Sequence, residues 1–380
     1  MKKLLSLTLF CVFAGSILSV SCTSGVSETT MIQGRIEQGN CEGVTVYVLD
    51  YDIKNDPIEV VDGSFSYELK TNPAVVATIT CVIDGEQVRE SIIPDGSKLT
   101  VSFTPAGASL ESSNKKSVNY RLHEEDLVYE EYKDLINQKR ALRRANASTE
   151  QLDSVNALSM QAKQKLDQMS REDLNGQKDN YLAVLGLVRL HDTFSDEQLD
   201  SLINTLDSVV IKTNRVQDIL VALQGRMNTK EGMPFVDFSV ESENGTVKLS
   251  DYVGKGKFVL ADFWASWCSP CRDEMPHIKK LYQKYAGDKF SVLGIACYDD
   301  PKSSLAVIDA QKLPWPQILG SGEVAVKAYG VRGIPFFILF APDGTILSRG
   351  QHGEALDKVV EENLKSVTRE GSFDNALCAK

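Results

Sequence analysis

The chain has 380 residues, with 41 Lys and Arg against 52 Asp and Glu and a formal net charge of −11. That length allows two or three domains, each with its own core. The acidic balance leaves no basic stripe to neutralise phosphates, which argues against nucleic acid as a partner.

At the N-terminus, Lys2 and Lys3 precede the apolar run LLSLTLFCVFAGSILSV, followed by small residues and Cys22. This is the pattern of a secretory signal over residues 1–21. It is too short, with flanks too polar, for a permanent membrane span, and no later stretch could cross a bilayer. Cys22 directly after Ser19-Val20-Ser21 resembles a bacterial lipoprotein signal, in which that cysteine is lipidated. The fit departs at Ser19, where an aliphatic residue is usual and Leu18 stands one place early. Plain cleavage is the alternative. Both readings predict export to the cell envelope, facing the periplasm or held on the outer membrane.

Residues 30–112 read as strands. GRIEQ, VTVYVLDY, GSFSYELK, AVVATITCVI, QVRESII and KLTVSF are rich in β-branched and aromatic residues. Turn signals such as Asp62-Gly63, Asp84-Gly85 and Asp95-Gly96 separate them. The expectation is a small antiparallel β-sandwich. Cys41 and Cys81 read as small buried residues in it, with a bridge between them as the alternative.

Residues 117–228 change period and form a central α-helical region. In TEQLDSVNALSMQAKQKLDQM, Leu152, Val155, Leu158, Ala162, Leu166 and Met169 recur at helical steps. YLAVLGLVRL predicts a more buried helix, and Ser195 with Asp196 and Glu197 opens another. Arg140, Arg143 and Arg144 read as a solvated face, and the stretch carries no catalytic constellation.

Residues 229–369 alternate between strand and helix. FVLADFWA and FSVLGIACY are strand-like; MPHIKKLYQKYA and SSLAVIDAQK are helix-like. FFILFAPDGTILSRG predicts a hairpin through Asp343-Gly344, and a last helix follows over about 354–367. That order describes an α/β domain with a central mixed sheet. Residues 370–380, with Cys378, read as a loose tail.

Of the 8 cysteines, Cys268 and Cys271 are the pair close in sequence, so the chain is not a disulfide-stapled scaffold. Structural zinc needs four ligands, yet no second CxxC and no HxxxH accompany this pair among the 4 histidines. No metal is expected. Arg272, standing where covalent haem attachment needs His, sets that reading aside. The two cysteines fall where a strand ends and a helix begins. There the helix dipole stabilises a thiolate and lowers its pKa from about 8.5 toward roughly 7. Redox chemistry is the favoured reading. Cys297 on the next strand reads as buried rather than reactive.

The stretch FVLADFWASWCSPCRDEMPH resembles the thioredoxin superfamily, and its flanks resemble the exported TlpA/ResA-like thiol–disulfide oxidoreductases. GMPFVDFSVESENGTVKLSDYVGKGK is similar to that group's opening segment. Glu274 and Pro276 fit its Cys-Arg-x-Glu-x-Pro pattern, and Val331-Arg332-Gly333-Ile334-Pro335 fits the loop carrying a cis-proline. The upstream strand domain resembles, more weakly, one often fused to such proteins in Bacteroidetes.

The resemblance implies a C-terminal thioredoxin-like fold and a role for each matched residue. Cys268 is the attacking thiolate and Cys271 the resolving thiol of a redox-active disulfide. Trp267, Pro270, Ile334 and Pro335 form the substrate-docking surface, with packing as the plainer alternative for Trp267 and Pro270. Asp262 coincides with the buried acid of cytosolic thioredoxins and would accept the Cys271 proton. Many exported relatives have Asn there, so a solvated or structurally bonded Asp262 is the alternative. Glu274 either tunes the dithiol or simply complements the helix dipole.

No soluble cofactor is expected, because the cysteine pair carries the electrons. Ser269-Pro270 between the sulfurs resembles reducing members. The expected substrates are oxidised exported proteins, apocytochromes among them, with a membrane thiol-transfer protein as electron donor. Two rival readings stand beside this one. A peroxidase of the peroxiredoxin class wants Pro and Thr or Ser where Ala261 and Ala265 stand. A surface binding module would use residues 30–228, with the dithiol secondary.

Overall fold

The computed structural model describes residues 27–48, 56–242 and 245–377, with side chains through residue 365. The signal segment, Cys11, Cys22 and Cys378 lie outside the described residues. The chain divides between Glu124 and Glu125 into two compact units.

The first unit is strand-rich. Its strands are β1 (Thr29–Ile36), β2 (Cys41–Val48), β3 (Asp56–Ile58), β4 (Ser64–Lys70), β5 (Ala77–Ile83), β6 (Glu86–Ile92), β7 (Lys98–Thr104) and β8 (Gly107–Ser112). They form two four-stranded sheets, ordered β4-β1-β7-β8 and β3-β2-β5-β6. Alternate residues from both sheets share one core, including Ile32, Val46, Ile79, Leu99, Val101 and Phe103. The expected sandwich is corrected in one respect. β1 and β7 pair parallel, so the unit is not purely antiparallel. No hairpin constrains this pair: the chain between them makes β4 and the whole of the other sheet, and a long crossover permits either direction. β3 and β8 escaped the sequence reading because β3 is three residues with a proline, and β8 buries Leu110 alone.

The second unit begins within α1 (Val118–Arg144) and continues through α2 (Thr149–Gly176), α3 (Tyr181–Leu190), α4 (Asp196–Ile203), α5 (Ser208–Ile211) and α6 (Asn214–Asn228). Ser148 and Ser195 cap α2 and α4 with reciprocal side-chain bonds to Gln151 and Gln198. On α2 the expected apolar face is buried only from Ala162 onward; Leu158 is exposed and Leu152 and Val155 half-buried. Arg189 of α3 donates to Glu125 of α1 at 2.6 Å, inside the helical layer.

There follow β9 (Ser239–Ser242), β10 (Gly245–Lys248), β11 (Phe258–Trp264), α7 (Ser269–Tyr285), β12 (Phe290–Ala296), α8 (Pro301–Gln311), β13 (Gln317–Ile318), α9 (Val324–Tyr329), β14 (Phe336–Phe340), β15 (Ile346–Arg349) and α10 (Gly353–Leu377). The central sheet is mixed, in the order β13-β12-β11-β14-β15. β11 is parallel to β12 and antiparallel to β14. α10 corrects the expected tail at 370–380: its backbone is helical to Leu377, and a lone Gly371 without any proline does not stop a helix.

β11 is buried along its whole length. Val259, Ala261 and Phe263 face one core, with Leu293, Tyr329 and Phe340. Leu260 and Trp264 face the other, with Cys271, Met275 and Ile278 of α7. The period of two therefore places Asp262 on the α7 side of the sheet.

α6 is built into this unit. A Cβ on Gly225 would lie 2.3 Å from the Lys327 carbonyl oxygen, and one on Gly330 2.1 Å from that of Ala222. Gly330 also closes α9 in the left-handed region, at φ 56°. Only residues without side chains let α6 and α9 approach so closely. Arg349 of β15 completes the joint, donating to the Thr229 carbonyl at 2.7 Å and the Tyr329 carbonyl at 2.6 Å.

Candidate active site

α7 starts at the dithiol. Cys268 is its N-cap, Pro270 falls in its first turn, and the Cys271 amide points at the Cys268 sulfur at 3.2 Å. Proline suits this place because the amide it lacks would have had no intrahelical acceptor. Cys268 and Cys271 are bonded, with S–S 2.07 Å. Both are almost wholly buried. The Cys268 sulfur also lies 3.8 Å from the Ile334 carbonyl oxygen, and the Ile334–Pro335 peptide is cis. The loop before β14 thus lays its main chain against the outer sulfur.

The approach loop is fixed by a residue absent from the sequence expectations. Asp299 accepts from the Ser266 amide at 2.6 Å, the Ser266 hydroxyl at 2.9 Å and the Ser304 hydroxyl at 2.7 Å. It ties the end of β11 to the start of α8. In sequence it was one of two aspartates after a strand, with nothing to single it out. Trp267 projects into solvent, 61% exposed, while its indole N–H donates to the Tyr298 carbonyl at 3.0 Å. A large, exposed aromatic face held by one polar contact therefore stands next in sequence to Cys268.

Asp262 is fully buried, and its Oδ1 has no hydrogen-bond partner. Burial, and secondly the negative charge of Glu274, push its pKa up to about 8. It is neither solvated nor satisfied by structural bonds at that oxygen. Such a carboxyl holds its proton at neutral pH and can exchange it near the working range.

Glu274, in the second turn of α7, accepts a hydrogen bond from His277 Nδ1 at 2.7 Å, and His277 Nε2 meets Asp357 of α10 at 2.6 Å. Partial burial works against a charged imidazole. The hydrogen bonds to the two carboxylates outweigh it and raise the His277 pKa above its usual value. A carboxylate–imidazole–carboxylate ladder therefore fixes Glu274. Cys297 is buried, and loss of solvent pushes its thiol up to about 12. Among the described residues, no three or more His, Cys, Asp or Glu side chains are arranged to hold a metal ion.

A mixed sheet flanked by helices, with a CxxC disulfide at a helix N-cap facing a cis-proline loop, defines a thioredoxin-like thiol–disulfide oxidoreductase. Residues 232–349 match the model of the AhpC/TSA family. A thiol-disulfide oxidoreductase ResA from Bacillus thuringiensis is 32% identical over 37% of this chain and 78% of its own. The thioredoxin-like protein YneN of Bacillus subtilis is 35% identical over 31% of this chain and 69% of its own. A solved thiol-disulfide oxidoreductase from Bacteroides fragilis matches at TM-score 0.31 and 31% identity, over 34% of this chain and 98% of that one. The chain belongs to the ResA-like thiol–disulfide oxidoreductases and is an enzyme of that class. The relatives agree with the TlpA/ResA-like resemblance of the sequence around Cys268 and Cys271.

Proposed function

We propose that the chain is an exported reductant of protein disulfides. Cys268 attacks a substrate disulfide and forms a mixed disulfide; Cys271 then displaces the reduced substrate and closes the internal pair. The observation that carries this reading is the placement of Cys268 at the N-cap of α7, with the Cys271 amide on its sulfur. An amide and a helix N-terminus favour the thiolate, the form that attacks.

Asp262 takes the Cys271 proton as resolution proceeds, since it lies on the same face of the sheet and titrates near 8. Burial sets that value chiefly, and the charge of Glu274 adds to it. Trp267 and Pro270 on one side, and the main chain at Ile334–Pro335 on the other, receive an extended substrate segment. The electrons travel on the cysteine pair without a soluble cofactor, and a membrane thiol-transfer protein restores the dithiol. Export, and lipidation at Cys22 in the cell envelope, are supported by the sequence of residues 1–22. A peroxidase reading has less support: Ala265, packed in one core with the two cysteines, offers no hydroxyl where that chemistry wants Thr or Ser.

Trapping tests the proposal. In cells carrying Cys271→Ala, mixed disulfides should accumulate between Cys268 and cysteines of exported proteins, and be released by dithiothreitol. Recovery of no Cys268 adducts, or of adducts with cytoplasmic proteins alone, would overturn it.

A further inference from the structure

The strand-rich unit contains a second pair of thiols that the redox site does not use. Cys41 opens β2 and Cys81 lies in β5, its hydrogen-bonded neighbour, and their sulfurs are 3.8 Å apart. Val44 stands opposite Cys81, and an unbroken register from there would set Cys41 opposite Asp84. An irregularity between Cys41 and Gly43 sets Cys41 opposite Ile83 instead, two residues from Cys81 and on the same face as it, and this brings the two side chains together. The turn ends are clamped beside them: Asp84 accepts from the Asn40 amide at 3.0 Å and its own amide donates to the Asn40 carbonyl at 3.1 Å. The sulfurs are therefore held together by backbone on both sides.

The two thiols differ in access. Cys81 is fully buried in the shared core, whereas Cys41 is half-buried at its margin. β3 pairs with β2 only from Val44 to Val46, so it does not cover the Cys41 end. Burial, and then the neighbouring thiol, push Cys81 up to about 12, which makes it a poor first attacker.

We infer that Cys41 and Cys81 form a second thiol–disulfide pair, which closes into a disulfide joining β2 to β5. The oxidant is a disulfide, on a small molecule or a protein. The Cys41 thiolate attacks it, forming a mixed disulfide and expelling one thiolate. Cys81 gives up its proton to that thiolate as its sulfur attacks Cys41, and the second thiolate leaves and is protonated from solvent. The pair loses two electrons, and the oxidant becomes two thiols. Closure brings the sulfurs from 3.8 Å to a bond of about 2.05 Å, a change within reach of side-chain rotation.

The test uses the full chain carrying Cys268→Ser and Cys271→Ser, fully reduced and then exposed to glutathione disulfide. After an acid quench, free thiols are alkylated under denaturing conditions and the chain is mapped by mass spectrometry. Alkylation at positions 41 and 81 should be lost together, with their two peptides joined, while Cys297 stays alkylatable. The same joined peptides should appear in the wild-type chain, and Cys81→Ser should leave glutathione on Cys41. Glutathione retained on Cys41 of the chain with Cys81 intact, or both thiols still free, would overturn the inference. Disulfide reductase activity of the wild-type preparation is scored separately, so failure of this pair is distinguishable from failure of the 268–271 site.

Discussion

His277 Nδ1 meets Glu274 Oε1 at 2.7 Å, one turn into the helix that starts at the dithiol. The imidazole is held in turn by Asp357 at 2.6 Å, so the orientation of Glu274 depends on a residue of the last helix. Glu274 is also the charge that, after burial, keeps Asp262 protonated. The ladder connects α10 to the carboxylate whose charge bears on Asp262.

His277→Ala is expected to loosen that connection in a pH-dependent way. The folded pKa of His277 is raised above 6.5, so its contribution to stability is full below the unfolded value and fades as pH rises through the folded one. Thermal denaturation should show a larger loss at pH 6 than at pH 9. An equal loss at both would mean that the imidazole acts by packing alone.

Asp262→Asn should relieve a cost rather than remove a support, with the wild type again losing ground as pH rises. A carboxyl moved from 3.8 to about 8 keeps its proton when folded and releases it when unfolded. Between those values the native protein therefore loses about 1.4 kcal/mol per pH unit relative to the variant. Denaturant titrations should show the variant gaining on the wild type from pH 5 to pH 7, with the gap levelling off above pH 8. A constant gap would place the Asp262 pKa near its ordinary value.

The same substitution should slow resolution. General base catalysis contributes about 10²-fold or more, so release of substrate from a Cys268 mixed disulfide should fall by that order in Asp262→Asn. The wild-type rate should rise through about pH 8, and Glu274→Gln should move that midpoint lower by removing the neighbouring charge. Stopped-flow fluorescence of Trp267 and Trp264 would follow the step. Identical resolution rates in Asp262→Asn and wild type would remove Asp262 from the mechanism.

Asp299→Ala should free the loop that presents Trp267. Two donors of Ser266 and one of Ser304 lose their acceptor. A shift of about 1 Å at a reacting group can cost on the order of 10²-fold, so kcat/KM for a protein disulfide should drop at least about tenfold. Asp299→Asn, which keeps one acceptor oxygen, should recover part of the loss. Unchanged kinetics in the alanine variant would show that the loop is held by other contacts.

Gly225→Ala should destabilise the second unit without altering the dithiol. The added methyl meets backbone at 2.3 Å and 2.7 Å, and overpacking of this kind costs about 1–3 kcal/mol. Equilibrium unfolding would measure the cost. Retained stability would show that α6 and α9 can part without loss.

The local devices were legible in the sequence because they are contiguous. The cysteine spacing, the helix after it, and the Ile334-Pro335 loop each depend on a few neighbouring residues. The serine caps at 148 and 195 are likewise local, although only Ser195 was singled out. Contacts between distant segments were not legible. His277 lies three residues from Glu274, a helical neighbour spacing, but Asp357 reaches them only through the packing of α10. Asp299 gains its role from where β11 ends. The parallel β1–β7 pair and the meeting of Cys41 with Cys81 depend on register, which alternation alone does not settle. Short elements such as β13 and α9 are made by tertiary packing and carry too few residues for a period.

The close approach of Gly225 and Gly330 has a bearing on where the catalytic part of this protein can be cut. The stretch that matches the AhpC/TSA model opens at residue 232, yet the Arg349 guanidinium finds acceptors on Arg226 and Thr229. A fragment trimmed to that stretch would lose those acceptors and the α6 backbone packed against Gly330. A fragment that starts before α6 keeps both.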